Sequence, residues 1–223
     1  MNQFNKPVQV FLLILLLLMH TQTVLADDPG KILVGDFSTG KLDGWGKKVF
    51  SGETSYGLVK LDTMRVLKAD SQDSASGLIK KITVDLHKYP YLNWRWRIEN
   101  RLDKADEKQK SGDDYSARIY VIDSGGLFFW ATKVLSYVWS DNSQKGTAWP
   151  NPYVKNNVQM FAVRSTEDDT STWYVEKHNV YEDFKRLFGK DVHYIDAVAL
   201  MTDSDNSNGH AEAFYGDIYF SMD

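Results

Sequence analysis

Cysteine is missing from all 223 residues. Disulfide staples, thiol nucleophiles and cysteine-ligated metals are therefore excluded, and burial of apolar surface has to hold the fold together. A surplus of positive charge is missing as well. The chain sets 26 Lys and Arg against 30 Asp and Glu, a formal net charge of −4, and this balance argues against nucleic acid as a partner, for which a basic patch is expected. No apolar run is long enough to span a bilayer: the main one, Val10 to Leu18, falls well short of the roughly 20 residues a transmembrane helix needs. Flanked by Lys6 and by Val24-Leu25-Ala26, it reads as the core of an export signal ending at residue 26. Cleavage there leaves 197 of the 223 residues and a formal charge of −5, since Lys6 is the one charged residue removed. It leaves no stable membrane anchor, so a periplasmic or secreted location is expected. Motifs of metal and nucleophile chemistry are absent too. His87, His178, His193 and His210 show no H-x-H or H-E-x-x-H spacing, and no G-x-S-x-G occurs. Without repeats, low-complexity segments or a linker, residues 27–223 are expected to form one all-β sandwich domain.

What is abundant is aromatic: 13% of the chain, with seven Trp and twelve Tyr. These rings either fill a sandwich core or serve as exposed stacking platforms. Two stretches alternate as strands do. In Tyr91 to Ile98, Leu92, Trp94, Trp96 and Ile98 share one side, and Asn93, Arg95 and Arg97 the other. In Gly112 to Ile122, Tyr115, Ala117, Ile119 and Val121 lie opposite Asp114, Ser116, Arg118 and Tyr120. With only Glu99 to Ser111 between them, the two are expected to be antiparallel neighbours. Further strands are expected at Lys31–Phe37, Tyr56–Leu61, Arg65–Ala69, Gly77–Val84, Leu127–Val134, Leu135–Trp139, Tyr194–Met201 and Glu212–Phe220. Val158–Arg164 and Trp173–His178 read as a hairpin about Glu167-Asp168-Asp169. One short helix is predicted near 181–188, stopped by Gly189. The long loop Asp141 to Asn157 has the length of a functional segment.

Three constellations are candidates for binding. Arg95, Arg97 and Arg118, with Asp114 and Tyr120 on the same predicted face, would present guanidinium forks suited to the carboxylate of an acidic glycan. The alternative is internal pairing with Asp113, Asp114 and Glu99. On the closing strand, Tyr215, Asp217 and Tyr219 fall opposite Phe214, Ile218 and Phe220, which reads either as a sugar site or as an amphipathic edge strand. The loop Asp203 to Gly209 (D-S-D-N-S-N-G) offers oxygen ligands of the kind calcium prefers, yet lacks the glutamate that completes an EF-hand. Were the protein a polysaccharide lyase, Arg118, Tyr120, His178 and Tyr215 are residues of the right type.

Several separated pieces resemble an exported bacterial family, the domain of unknown function 3047. They are L-N-W-R-W-R at Leu92 to Arg97, G-D-D-Y-S-A-R-I-Y-V at Gly112 to Val121, S-Y-V-W-S at Ser136 to Ser140, V-Y-E-D-F at Val180 to Phe184, M-T-D-S-D-N at Met201 to Asn206, and A-F-Y-G-D-I at Ala213 to Ile218. The resemblance implies a jelly-roll β-sandwich and brings no established activity. Gly35-Asp36-Phe37, Gly44-Trp45 and Tyr215-Gly216-Asp217-Ile218 are in turn similar to the opening and closing strands of carbohydrate-binding jelly rolls. That similarity implies a structural calcium held by Asp36 and Asp217, with Asp43 completing the shell. The expectation is an exported β-sandwich that binds a carbohydrate or acidic polysaccharide without transforming it. A lyase or hydrolase on the same scaffold, and an envelope module that docks another protein, stand as alternatives.

Overall fold

The computed structural model describes residues 30–103, 105–126 and 131–223. The expected export signal at 1–26 and the first four residues of the expected strand Leu127–Val134 lie outside the described residues. Numbered in chain order, the strands are β1 (Lys31–Gly35), β2 (Trp45–Ser51), β3 (Ser55–Leu61), β4 (Met64–Gln72), β5 (Ala75–Asp85), β6 (Tyr91–Ile98) and β7 (Arg118–Asp123), then β8 (Lys133–Trp139), β9 (Ala148–Asn151), β10 (Lys155–Arg164) and β11 (Tyr174–Asn179). The helix α1 (Val180–Phe188) follows, and β12 (Tyr194–Asp203), β13 (His210–Tyr215) and β14 (Ile218–Ser221) close the chain. The protein is an all-β sandwich of jelly-roll type with two seven-stranded sheets.

The first sheet is built around β6. One edge of β6 takes β13 along Trp96–Ile98 and β14 along Tyr91–Asn93, and the other edge takes β11. Beyond β13 lie β4 and β3, and β1 pairs with β14. The second sheet runs β2-β5-β12-β7-β8-β10-β9, with β8 and β10 parallel. The alternation of β6 is as its sequence predicts: Trp94 and Trp96 are buried on the inner face. Their rings meet edge to face at 5.4 Å and contact the second sheet at Tyr137 (5.2 Å from Trp94) and Trp139 (6.0 Å from Trp96). This aromatic ladder is the centre of the core. The Trp96 indole N–H is satisfied by Glu176 at 3.1 Å, and Arg164 holds that carboxylate at 2.5 Å.

The helix forms where its signals place it. The Asn179 side chain accepts from the Glu182 N–H at 3.1 Å, Gly189 closes the last turn at φ 63°, and Val180 and Phe184 are buried. Asp183 in its first turn accepts from the buried Tyr137 hydroxyl at 2.8 Å, tying the helix to the second sheet.

Several pairings differ from expectation. β6 and β7 are not neighbours; they lie in opposite sheets, and the chain between them crosses the sandwich. The strand there begins only at Arg118, because Lys110–Gly112 is a single 3-10 turn. β10 and β11 likewise belong to different sheets, so the acidic turn between them is a crossover rather than a hairpin. Arg164, paired with both Asp168 (2.7 Å) and Glu176 (2.5 Å), pins that crossover. Finally, Glu212–Phe220 is two strands. Gly216 and Asp217 break the alternation, so Tyr215, Ile218 and Phe220 all point into the core.

Candidate functional site

The second sheet carries apolar side chains on both faces. In β7, Ile119 and Val121 join the central core, whereas Tyr120 and Ile122 belong to a second cluster on the outer face, where Arg118 packs on the Tyr120 ring. Antiparallel register sets Met201 of β12 opposite Arg118 and Ala199 opposite Tyr120, with Asp203 two residues farther along. Four segments rise around this end of the sheet: Phe50 and Ser51 at the end of β2, Asp113 before β7, Asn151 at the end of β9 with Tyr153 and Val154 after it, and Asp205 and Asn206 after β12. Together they enclose an open cleft of about 220 Å³. Tyr120, Arg118 and Met201 form its floor, and Tyr153, Phe50 and Asp205 stand partly exposed at its mouth.

Arg118 is the electrostatic centre of the cleft. Only 4% exposed, it donates through Nη2 to Asp203 Oδ2 and lies 3.3 Å from the Met201 sulfur, while Nη1 is 3.8 Å from Asp113. Its guanidinium packs on the rings of Tyr115 (5.0 Å) and Tyr120 (5.4 Å). Its Nε–H has no hydrogen-bond partner. Burial opposes the charge, but Asp203 and Asp113 hold the guanidinium firmly protonated.

The carboxylates are fixed by other donors. Asp203 also accepts from the Tyr115 N–H at 3.1 Å, and Asp113 accepts from Asn151 Nδ2 at 3.2 and 3.1 Å. Asp114 accepts from the backbone N–H groups of Asn206 (3.2 Å) and Ser207 (2.6 Å), so it nails the Asp203–Gly209 loop down. Carboxylate oxygens of Asp114, Asp203 and Asp205 lie within 4.8 Å of one another. Burial pushes the Asp203 carboxyl well up despite the pull of Arg118, with Asp114, Asp113 and Asp205 pushing the same way. Asp205 is raised by burial and by Asp114. At the mouth, the Tyr153 hydroxyl donates to the Lys110 carbonyl at 3.2 Å and accepts from Asn206 Nδ2 at 3.4 Å. Chemically the cleft offers aromatic faces and strong acceptors in one place.

Of the residues proposed from sequence, Arg118, Tyr120 and Asp114 meet at this cleft. Arg95 and Arg97 do not, and the expected three-arginine face does not exist. Both lie on the first sheet: Arg97 pairs with Glu99 at 2.5 Å, and Arg95 packs over the Trp173 ring at 5.5 Å. Tyr215 is 0% exposed inside the sandwich, its hydroxyl bonded to Thr202 Oγ1 and the Met201 carbonyl, each at 2.9 Å. It is thus separated from Tyr219, which lies under Lys31 (5.1 Å). His178 packs among Trp94, Tyr137 and Phe161, so the lyase set of Arg118, Tyr120, His178 and Tyr215 is not assembled.

The residues of the calcium expectation do not fit a cation. Asp217 accepts from the Ser38 N–H (2.8 Å) and hydroxyl (2.5 Å), and Asp36 faces the Lys41 ammonium at 3.4 Å. Asp43 is exposed. The sequence reading did not single out Asn151, Tyr153 or Phe50 for the site. A signal was present for two of them in the long Asp141–Asn157 loop, whose middle is drawn into β9.

Two of the sequence pieces quoted above, G-D-D-Y-S-A-R-I-Y-V and M-T-D-S-D-N, supply half of the residues lining this cleft, from β7, β12 and the loops beside them. Comparison with solved structures finds similarity to a structure from work on the promiscuous specificity of carbohydrate-binding modules of the β-sandwich superfamily (13% identity, TM-score 0.43, 82% of this chain and 59% of that chain). A thermostable cellulase derived from Cel12A of Rhodothermus marinus is similar at 9% identity and TM-score 0.46, over 84% of this chain and 96% of that one. The xylan-binding CBM22-2 domain of Paenibacillus barcinonensis Xyn10C is similar at 8% identity and TM-score 0.40, over 83% and 96%. No curated protein matches the sequence. A family profile described as protein of unknown function (DUF3047) matches residues 43–219, most of the chain, and the protein belongs to that family.

Proposed function

We propose that this protein is exported and binds a carbohydrate in the cleft over β7 and β12, without transforming it. The observation that carries the reading is the convergence of ring faces and hydrogen-bonding side chains in one open cleft. Tyr120, Tyr153 and Phe50 supply the rings, and Asp113, Asn151 and Asp205 the polar groups. Sugars present exactly these two surfaces, apolar C–H faces and a fringe of hydroxyls, and concave sites with a few placed polar groups are the usual form of ligand pockets. Export rests on the short apolar run and the Val24-Leu25-Ala26 site; among the described residues no helix is long and apolar enough to cross a membrane.

The test is a glycan-array screen of the chain from Asp27 onward, with every hit assayed for turnover. Tyr153→Ala is expected to weaken binding about tenfold or more, the loss of one stacking ring, while its partly exposed position keeps the stability change near 0.5 kcal/mol. Binding that ignores this substitution moves the site elsewhere, and release of product from a bound glycan replaces the binding role with an enzymatic one.

A further inference from the structure

Resting on the reading of the cleft as a carbohydrate site, we infer that it takes uncharged, hydroxyl-rich sugar units and rejects uronates. The argument is one of charge and donor count. Among the residues lining the cleft, Asp113, Asp203 and Asp205 are acidic and Arg118 is the one cation, with Asp114 within 4.8 Å of Asp203 and Asp205. The arginine is already committed, bonded to Asp203 and 3.8 Å from Asp113. Lys108 and Lys110 lie over the rings of Trp149 (5.9 Å) and Tyr153 (5.1 Å) and are not part of the lining. A ligand carboxylate entering here meets a surplus of its own sign in a partly desolvated space, where such charges are weakly screened.

The acceptors at the mouth suit a hydroxyl. Asp205 lines the cleft and stands partly exposed, so it can accept a hydrogen bond from a ligand hydroxyl. An ionised ligand carboxylate has no proton to give it. The Asp205 carboxyl is displaced upward mainly by its burial, with Asp114 pushing the same way. This reverses the expectation drawn from the arginines in the sequence, because the one arginine at the site is neutralised from within.

The experiment pairs the glycan array with calorimetric titration of two matched probes, polygalacturonate and its fully methyl-esterified form, which share the sugar backbone and differ only at the C6 carboxyl, ionised in one and capped by a methyl in the other. Array hits confined to neutral glycans, and esterified probe binding at least about tenfold tighter than the acid, are the expected results. Asp205→Asn is expected to narrow that ratio, by about threefold to tenfold, whatever it does to either affinity. Hits confined to acidic glycans, or a ratio at or below one, overturn the inference while leaving carbohydrate binding in place. An array without hits removes the carbohydrate reading and the inference with it.

Discussion

Arg118→Ala probes the centre of the site more sharply than any other substitution. The side chain is 4% exposed and Asp203 1%, so truncation leaves a carboxylate buried beside three others with its counter-ion gone. Breaking a buried pair from one side costs about 3–5 kcal/mol. For a domain of this size each kcal/mol moves the melting temperature by about 2–4 °C, so a fall of roughly 10 °C is expected. The pH dependence carries a sign. Burial raises the Asp203 carboxyl in the folded protein above its unfolded value of about 3.9, and a group raised in this way contributes stability below that value and loses it as pH rises toward the folded pKa. Removing Arg118 takes away the main opposing pull, so the deficit should be least near pH 4 and grow toward neutrality. Thermal melts followed by near-ultraviolet circular dichroism from pH 4.5 to 8 measure this directly. The double variant Arg118→Met/Asp203→Leu deletes both charges and should recover much of the loss, since well-packed apolar pairs replace buried ion pairs at little cost. A melting temperature unchanged in Arg118→Ala, or a deficit that grows on acidification, refutes the electrostatic account of the cleft.

Two other outcomes follow from the geometry. Trp96→Ala should cost about 3–5 kcal/mol in urea unfolding, because it removes a fully buried ring packed on Trp94 and Trp139; an unchanged midpoint would show that the aromatic ladder does not organise the core. EDTA should leave the melting temperature of the purified protein unchanged, given that Ser38 and Lys41 satisfy Asp217 and Asp36, and that Arg118 and the Asn206 and Ser207 N–H groups satisfy Asp203 and Asp114, whereas a drop reversed by added calcium would reveal a cation bound to the folded state.

How far the sequence could be read depended on the range of the information. Periodicity within a strand is local, and it correctly buried Trp94 and Trp96. The capped helix is equally local, with Asn179, Glu182 and Gly189 all inside one short segment. Partner choice is not local. Nothing in Glu99 to Ser111 distinguishes a hairpin from a crossover, so Arg95 and Arg97 were grouped with an arginine that lies in the other sheet. The same ambiguity made β10 and β11 look like a hairpin. Parity also fails wherever backbone geometry breaks, and Gly216-Asp217 rotates Tyr215 inward against its expected side. The cleft was legible in fragments, through Arg118, Tyr120 and Asp114. Its other wall comes from Asn151, Tyr153 and the Asp203–Gly209 loop, brought close only by the order of strands in the second sheet. The bland reading of the arginines, internal neutralisation, describes Arg97 with Glu99 and Arg118 with Asp203 and Asp113.

The way β6 is bounded has a consequence for synthesis. One whole edge of this strand is covered by residues 213–221, and the same terminal strand supplies the partner of β1. Residues 31–35 therefore have no ladder partner, and residues 91–98 only β11, until residues 213–221 are in place. Such sequence-distant pairing is slow, because the loop must close before the contacts reward it. The first sheet cannot seal until residues 213–221 have left the ribosome, so the chain before them stays open until then. Deleting residues 214–223 would leave β1 without a ladder partner and nearly one whole edge of β6 bare.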